Sequence, residues 1–165
     1  MDNASLEQRI AALESLEAIR SLKARYLFAC DRKDPATMRA CFADGKVHID
    51  YGIVGTFDNA DTLVKLYTEV ACHPNMVEMH HSADPQIELV AADHARATWS
   101  LHYCLLETKS KGFTQLGGYY EDEYRKFGKD WKITSTRFVV TSTLSMDMNE
   151  GIMKVLFAGN PQLAA

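Results

Sequence analysis

The stretch FTQLGGYYEDEYRKFGKDWKITSTRFVVTST, residues 113–143, decides the fold class. It holds two long runs rich in aromatic and β-branched residues, and only Gly128 to Asp130 separate them. A connection that short predicts antiparallel neighbours in one sheet. Two earlier runs have the same character, with a turn at Asp93 between them. The sequence therefore predicts four long strands in succession, at residues 76–90, 95–107, 113–127 and 131–143.

Two of these strands contain residues that interrupt a regular ladder. Pro85 has no backbone N–H to donate, and the pair Gly117-Gly118 has no side chains to pack. Both features predict bulges or bends, which increase the local twist of a strand and let a sheet curl.

The region before the strands has helical patterns. Ser5 and Gln8 form a capping-box pattern, and apolar residues then recur at steps of three and four as far as Cys30. This pattern predicts one long helix. Asp34 is the predicted N-cap of a second, short helix whose first residue is Pro35.

A third helix is predicted over residues 58–70, which return to helical spacing with Asp58 or Asn59 as the cap. Residues 47–51 lie between the second and third helices and alternate as a half-buried strand does. Three helices followed by a curling antiparallel sheet predict an α+β fold. We expect the three N-terminal helices to pack on the concave face of a curved antiparallel (mixed) sheet, which forms a cone with a pocket at its mouth.

The composition favours one globular domain over residues 1–165, since no segment resembles a linker and 47% of the residues are apolar. The formal net charge is -4, and no Lys/Arg cluster occurs. Nucleic acid and membrane surfaces are therefore not expected as partners. No apolar run reaches the roughly 18 residues of a membrane span, and the start MDNASLEQR lacks a secretory core. We expect a cytoplasmic protein that binds a small molecule.

No cofactor or metal is predicted. The four cysteines are scattered without a CxxC pair, so reduced and mostly packed thiols are expected. The sequence also has no glycine-rich phosphate loop, no serine nucleophile elbow and no group of residues with metal-ligand spacing.

Asp31 is the first candidate functional residue. It follows Tyr26 by five residues at the end of the long helix, while Asp34 already serves as the next N-cap. Asp31 is therefore a spare carboxylate, and a carboxylate beside a histidine forms a general-base dyad. The chain offers six histidines for this role: His48, His73, His80, His81, His94 and His102.

Several motifs resemble the nuclear transport factor 2-like superfamily over most of the chain. They are Asp31-Arg-Lys-Asp34, Phe42-Ala-Asp44, Ile49-Asp-Tyr51-Gly52 and the segment GGYYEDEY at 117–124 leading to Trp131-Lys-Ile133. The branch that they resemble includes polyketide-cyclase-like proteins, scytalone dehydratase, bile-acid dehydratase and hexachlorocyclohexane dehydrochlorinase. The resemblance implies a cystatin-like cone, and it leaves lyase, isomerase, cyclase and binding functions open.

The resemblance also implies roles for individual residues. Asp31 occupies the position of the dyad aspartate, and His80 occupies that of the histidine. His81 fits after a shift of one residue, and because a β-bulge moves a side chain to the other face, the choice between the two stays open. His102, on the following strand, is a further candidate.

Tyr26 and Tyr51 match tyrosines of the dehydratases and can donate hydrogen bonds. Elimination next to a carbonyl needs a base for the C–H, a donor for the enolate oxygen and an acid for the leaving group. Asp31 would orient His80, and a tyrosine would donate to the enolate. The serine and asparagine of scytalone dehydratase have no obvious counterparts, which argues against scytalone as the substrate.

An apolar lining of the cone is predicted from residues that face inward in this arrangement. They suit a flat hydrophobic substrate of the aromatic, polyketide-like or steroid-like kind. Arg137 is expected to bind a carboxylate or a leaving oxygen. The predicted lining residues are Phe28, Val47, Ile49, Leu66, Met79, Trp99 and Phe138.

Structural interpretations stand beside these functional ones. Tyr26 lies in the apolar stripe and suits a core tyrosine, and Asp31 can pair with Arg32 or Lys33 in solvent. Of two adjacent strand residues, one faces inward and one outward, so at least one of His80 and His81 is not expected to act. His48 and Asp50 face together and form either a second dyad or a solvated strand face.

The leading functional hypothesis is a cofactor-independent lyase of the dehydratase type. An isomerase or cyclase of a polycyclic ketone would use the same base, and a non-catalytic ligand-binding module is the alternative from another class. A homo-oligomer is expected because an open sheet leaves a face that a second copy can cover, with dimer and trimer both open. Residues 144–165 are predicted to form a C-terminal tail that serves as a lid or an oligomer contact.

Overall fold

The computed structural model describes residues 5–147. The predicted helix starts are confirmed: Ser5 and Gln8 exchange both capping-box hydrogen bonds, and the Asp34 carboxylate accepts from the Thr37 N–H at 2.9 Å. Asn59 caps the third helix. The helices are α1 (Leu6–Asp31), α2 (Pro35–Ala40) and α3 (Ala60–Val70).

Six strands form one mixed sheet in the order β2-β1-β6-β5-β4-β3. β1 and β6 are parallel, and the other neighbours are antiparallel. The three helices pack against the curved, open sheet, so the predicted α+β architecture is confirmed. The strands are β1 (His48–Asp50), β2 (Thr56–Phe57), β3 (Met76–Ala91), β4 (His94–Glu107), β5 (Gly112–Phe127) and β6 (Asp130–Asp147).

Both predicted bulges are present. The register of β3 against β4 shifts between Ala83 and Gln86, on either side of Pro85, and that of β5 against β6 shifts between Gly117 and Gly118. A Cβ atom on Gly118 would lie 2.3 Å from the carbonyl oxygen of Val139, so a side chain does not fit there. The bulges accompany the curl of the sheet, which makes room for a cavity between the sheet and the helices.

The predicted tail begins too early. Residues 144–147 continue β6 and pair with the start of β5, where Asp147 lies opposite Gly112. Ladder pairing with β5 therefore extends the strand beyond the apolar pattern that defined it. The remaining tail residues lie outside the described part of the chain, so the role of the tail as a lid or an oligomer contact stays a prediction. The homo-oligomer and the cytoplasmic location also stay predictions. No helix within residues 5–147 is long and apolar enough to cross a membrane.

A buried ion pair joins α1 to the sheet beneath the cavity. Nζ of Lys23 lies 2.8 Å from Oδ2 of Asp122, and neither side chain is exposed. The contact is an ion pair rather than a well-aligned hydrogen bond, and the ammonium also lies 3.4 Å from the ring centroid of Tyr120. Asp122 accepts hydrogen bonds from Tyr124 and Thr136. Burial lowers the pKa of the Lys23 ammonium, and Asp122 opposes this shift.

Replacing Lys23 by methionine should destabilise the fold. The Asp122 carboxylate would stay buried without its cation, which costs about 3–5 kcal/mol in free energy of unfolding. Urea denaturation measures this loss. Arg20→Met, which removes an exposed cation from the same helix, should change the free energy of unfolding by less than about 0.5 kcal/mol.

The double variant Lys23→Met with Asp122→Asn removes both charges and should lose less stability than Lys23→Met alone. Wild-type stability of the single variant would show that the pair does not hold helix and sheet together.

Candidate active site

A cavity of about 690 Å³ lies between α1, α3 and the inner face of strands β3 to β6. A volume of this size suits a small organic ligand. Most of its wall is apolar, and the polar groups belong to tyrosines, two threonines, one cysteine, one histidine and one glutamate. The lining includes Tyr26, Cys30, Met38, Tyr51, Leu63, Leu66, Tyr67, Glu78, His80, Leu101, Tyr103, Leu105, Leu116, Tyr120, Phe138 and Val140.

Asp31 and His80 meet at the wall of this cavity. Asp31 is the last residue of α1, and its Oδ1 lies 2.7 Å from Nδ1 of His80. The backbone N–H of His80 also donates to both carboxylate oxygens, at 3.1 and 3.2 Å. Because a carboxylate can only accept, Nδ1 carries the hydrogen in this contact, and in the neutral ring Nε2 keeps its lone pair. Nε2 of His80 can therefore act as a base.

His81 and His102 lie away from this contact. They are cross-strand partners on the outer face of the sheet, where both are exposed. The bulge in β3 begins only after Ala83, so the alternation of side chains is intact at His80 and His81 and sends them to opposite faces. Of these three histidines, the structure brings His80 to Asp31, and the interpretation of the other two as dyad partners is wrong.

The hydroxyl groups of Tyr26 and Tyr51 form a pair in the cavity wall, with their oxygens 2.6 Å apart. Burial raises the pKa of both phenols, so both keep their hydrogens at neutral pH. One hydroxyl donates to the other, which leaves the second hydroxyl hydrogen for another acceptor. Tyr26 also belongs to the core, so the structural and the functional interpretations of this residue are compatible.

A second polar cluster in the wall was not predicted. Oε1 of Glu78 accepts from the Tyr103 hydroxyl at 2.9 Å, and Oε2 lies 3.0 Å from the Tyr67 hydroxyl and pairs with Nζ of Lys33. The Tyr103 ring also meets the His80 ring, with centroids 4.7 Å apart. Strand alternation could have placed Glu78 in the cavity wall, because Glu78 precedes His80 by two residues and therefore shares its face of the sheet.

Two of the predicted lining residues, Leu66 and Phe138, lie in the cavity wall. Val47, Ile49 and Trp99 do not, because they are buried in the core behind it. Trp99 uses its indole N–H to donate to Tyr124 rather than to reach the cavity.

Met79 and Phe28 are also outside the lining. Met79 lies between Glu78 and His80 on β3, and alternation turns it to the other face of the sheet. Phe28 is 60% exposed on α1, where the Arg32 guanidinium lies 5.4 Å from its ring centroid. Phe28 is not part of the buried face of α1, which near the end of the helix is formed by Tyr26, Leu27, Ala29 and Cys30.

Arg137 does not face the cavity. Its guanidinium lies on the outer face of the sheet, 3.1 Å from a carboxylate oxygen of Glu121 and 3.6 Å from one of Asp50. Asp50 also accepts from the backbone N–H of Gly52. The outer face of β1 is therefore a solvated face with charged partners, and the predicted substrate contact of Arg137 is wrong.

Solved structures with the same fold cover nearly all of the chain. A candidate scytalone dehydratase from Novosphingobium aromaticivorans is 20% identical with a TM-score of 0.75, and it covers 95% of this chain and 99% of its own. The hexachlorocyclohexane dehydrochlorinase LinA-type3 from Novosphingobium barchaimii is 18% identical with a TM-score of 0.76, and it covers 89% and 98%. At these sequence identities, the similarity shows a shared fold only. No curated protein matches the chain.

A family model identifies the chain. The model of the SnoaL-like domain matches residues 11–137, which include most of α1 with Asp31, β3 with His80 and most of the cavity wall. This match confirms the superfamily and the branch that the motifs resemble. The chain belongs to the family of SnoaL-like domains.

Proposed function

We propose that this protein is a cofactor-independent lyase of the dehydratase type, with His80 as its general base. The observation that carries the proposal is the 2.7 Å contact between Asp31 and His80 at the wall of a largely apolar cavity. A base held by a carboxylate in the wall of an apolar cavity suits the removal of a weakly acidic C–H proton.

The proposed reaction begins when Nε2 of His80 takes a proton from a carbon next to a carbonyl group. Asp31 stabilises the resulting imidazolium, and one hydroxyl of the Tyr26–Tyr51 pair donates a hydrogen bond to the enolate oxygen without losing its proton. The C–O bond to the leaving hydroxyl then breaks as the enolate collapses. His80 returns its proton to the leaving oxygen, so the net change is the loss of one water from the substrate.

The proposed substrate is a small hydrophobic cyclic, aromatic, polyketide-like or steroid-like molecule. Most of the cavity surface is apolar, and it combines aliphatic with aromatic side chains, which favours a flat apolar body. Two structural neighbours carry the names of a dehydratase and a dehydrochlorinase, which both denote eliminations.

An isomerase or cyclase acting on a polycyclic ketone is the second candidate. The donor pair of Tyr26 and Tyr51 beside a histidine base would also support enolisation without a leaving group. A plain ligand-binding module would not need a histidine fixed by a carboxylate in the wall of its cavity.

Mass spectrometry of the products distinguishes these functions. The protein is incubated with a panel of cyclic hydroxyketones, chlorinated cyclohexanes and steroid ketones. A lyase yields products that have lost water or HCl, and an isomerase yields products of unchanged mass and altered retention. Binding of panel members without conversion of any of them would favour the binding module.

Asp31→Asn and His80→Ala should each lower the rate of elimination by about 10²–10⁴-fold, because each removes the oriented base. The measurement is kcat/KM on the best substrate of the panel. His81→Ala is the matched control, since His81 is the neighbouring histidine on the outer face, and it should retain the wild-type rate. Near-full activity of Asp31→Asn and His80→Ala would refute the base assignment.

Tyr26→Phe and Tyr51→Phe should each lower kcat by about 10²-fold, the typical effect of one preorganised donor. The two hydroxyls act as one hydrogen-bonded unit, so the double variant should lose little more than the more damaged single variant. Multiplicative losses in this double-mutant cycle would mean that the hydroxyls act independently.

A further inference from the structure

The ion pair of Lys33 and Glu78 is an unusual feature for the wall of an apolar cavity. Their side chains are only 13% and 10% exposed. A buried ion pair is weak evidence for stability, because the loss of hydration offsets much of the attraction. Its position beside the proposed base therefore indicates a role in the cavity.

The hydrogen bonds around Glu78 determine what this cluster offers to a ligand. Tyr103 has one hydroxyl hydrogen, and it points at Oε1 of Glu78 at 2.9 Å. Oε2 of Glu78 is occupied by Lys33 and Tyr67. The Tyr103 oxygen therefore keeps its acceptor capacity, and donation to a carboxylate strengthens that capacity. Burial and the Glu78 charge raise the pKa of Tyr103, so the phenol stays protonated.

The location of Tyr103 relates this acceptor to the base. Its ring lies against the imidazole of His80 in an edge-to-face contact, with centroids 4.7 Å apart. Elsewhere in the wall, the hydroxyls of Tyr26 and Tyr51 together hold one hydrogen that their mutual contact does not use. The cavity thus has a donor in one place and a polarised acceptor in another.

We propose that Tyr103, positioned by Glu78 and Lys33, is a specificity-determining residue that accepts a hydrogen bond from a hydroxyl group of the ligand. The ligand class is accordingly a hydroxylated cyclic molecule with an otherwise apolar body. This inference rests on the proposed function in placing the substrate in this cavity. A ligand of the same shape without a hydroxyl would leave the acceptor unpaired and would bind more weakly.

Binding of two simple probes tests the proposal without a known substrate. 2-Naphthol and 2-fluoronaphthalene have nearly the same shape, and only the first can donate a hydrogen bond. Isothermal titration calorimetry gives the ratio of their dissociation constants. The wild-type protein should bind 2-naphthol about tenfold more tightly, a difference typical of one hydrogen bond.

Tyr103→Phe should reduce this ratio to about one, because the variant lacks the acceptor oxygen, and it should leave the affinity for 2-fluoronaphthalene within about twofold, because the aromatic ring stays in place. Tyr119→Phe is the matched control, because Tyr119 is not part of the cavity lining, and it should keep the wild-type ratio. Glu78→Gln keeps the shape of the side chain but removes its charge, and it should give an intermediate ratio.

Asp31→Asn separates this inference from the proposed function. It should lower elimination by about 10²–10⁴-fold and keep the hydroxyl preference, because Tyr103 and its hydrogen bond to Glu78 stay in place. Any of three results would overturn the subsite. They are an unchanged ratio of dissociation constants in Tyr103→Phe, loss of the preference for 2-naphthol in Tyr51→Phe instead, and failure of the wild-type protein to bind 2-naphthol. The elimination assay decides the proposed function independently of these outcomes.

Discussion

The carboxylate of Asp31 connects the end of the long helix to the strand that carries His80. It accepts hydrogen bonds from the backbone N–H of His80 and from Nδ1 of the ring. One carboxylate therefore fixes both the position of β3 relative to α1 and the orientation of the imidazole. The backbone contact supports the fold, and the ring contact sets the tautomer. The proposed chemistry therefore depends on the same packing that closes one wall of the cavity.

Two lysines link the helical layer to acidic residues of the sheet around this cavity. Lys23 pairs with Asp122 beneath it, and Lys33, just after α1, pairs with Glu78 in its wall. Both pairs are largely removed from water and receive hydrogen bonds from tyrosines. We interpret the first pair as a contact that sets how the helix sits on the sheet, and the second as part of the ligand site. The apolar lining between them favours a ligand that is mostly hydrophobic.

The sequence predicted the helices, the long strands and the bulges because caps, apolar periodicity, Pro85 and the Gly117-Gly118 pair are local signals. The short strand β2 and the 3₁₀ turn at Gly52–Val54 have no such signal. The pairing of Asp31 with His80 came from the family resemblance, since nothing in their spacing joins a helix end to a strand 49 residues later. The cavity lining was mostly missed, because whether Trp99 or Leu101 lines the cavity depends on the curl of the sheet, which no local pattern encodes.

The most direct test of the account is whether the protein removes a proton from carbon. 2-Tetralone, a two-ring ketone with a weakly acidic C–H, is incubated with the protein in D₂O, and NMR follows deuterium incorporation next to the carbonyl. The account predicts that the wild-type protein accelerates exchange and that Asp31→Asn does not. Two results would contradict the assignment of the Asp31–His80 pair as a general base. One is exchange at the buffer rate although the wild-type protein binds 2-tetralone in the cavity, and the other is equal acceleration by Asp31→Asn.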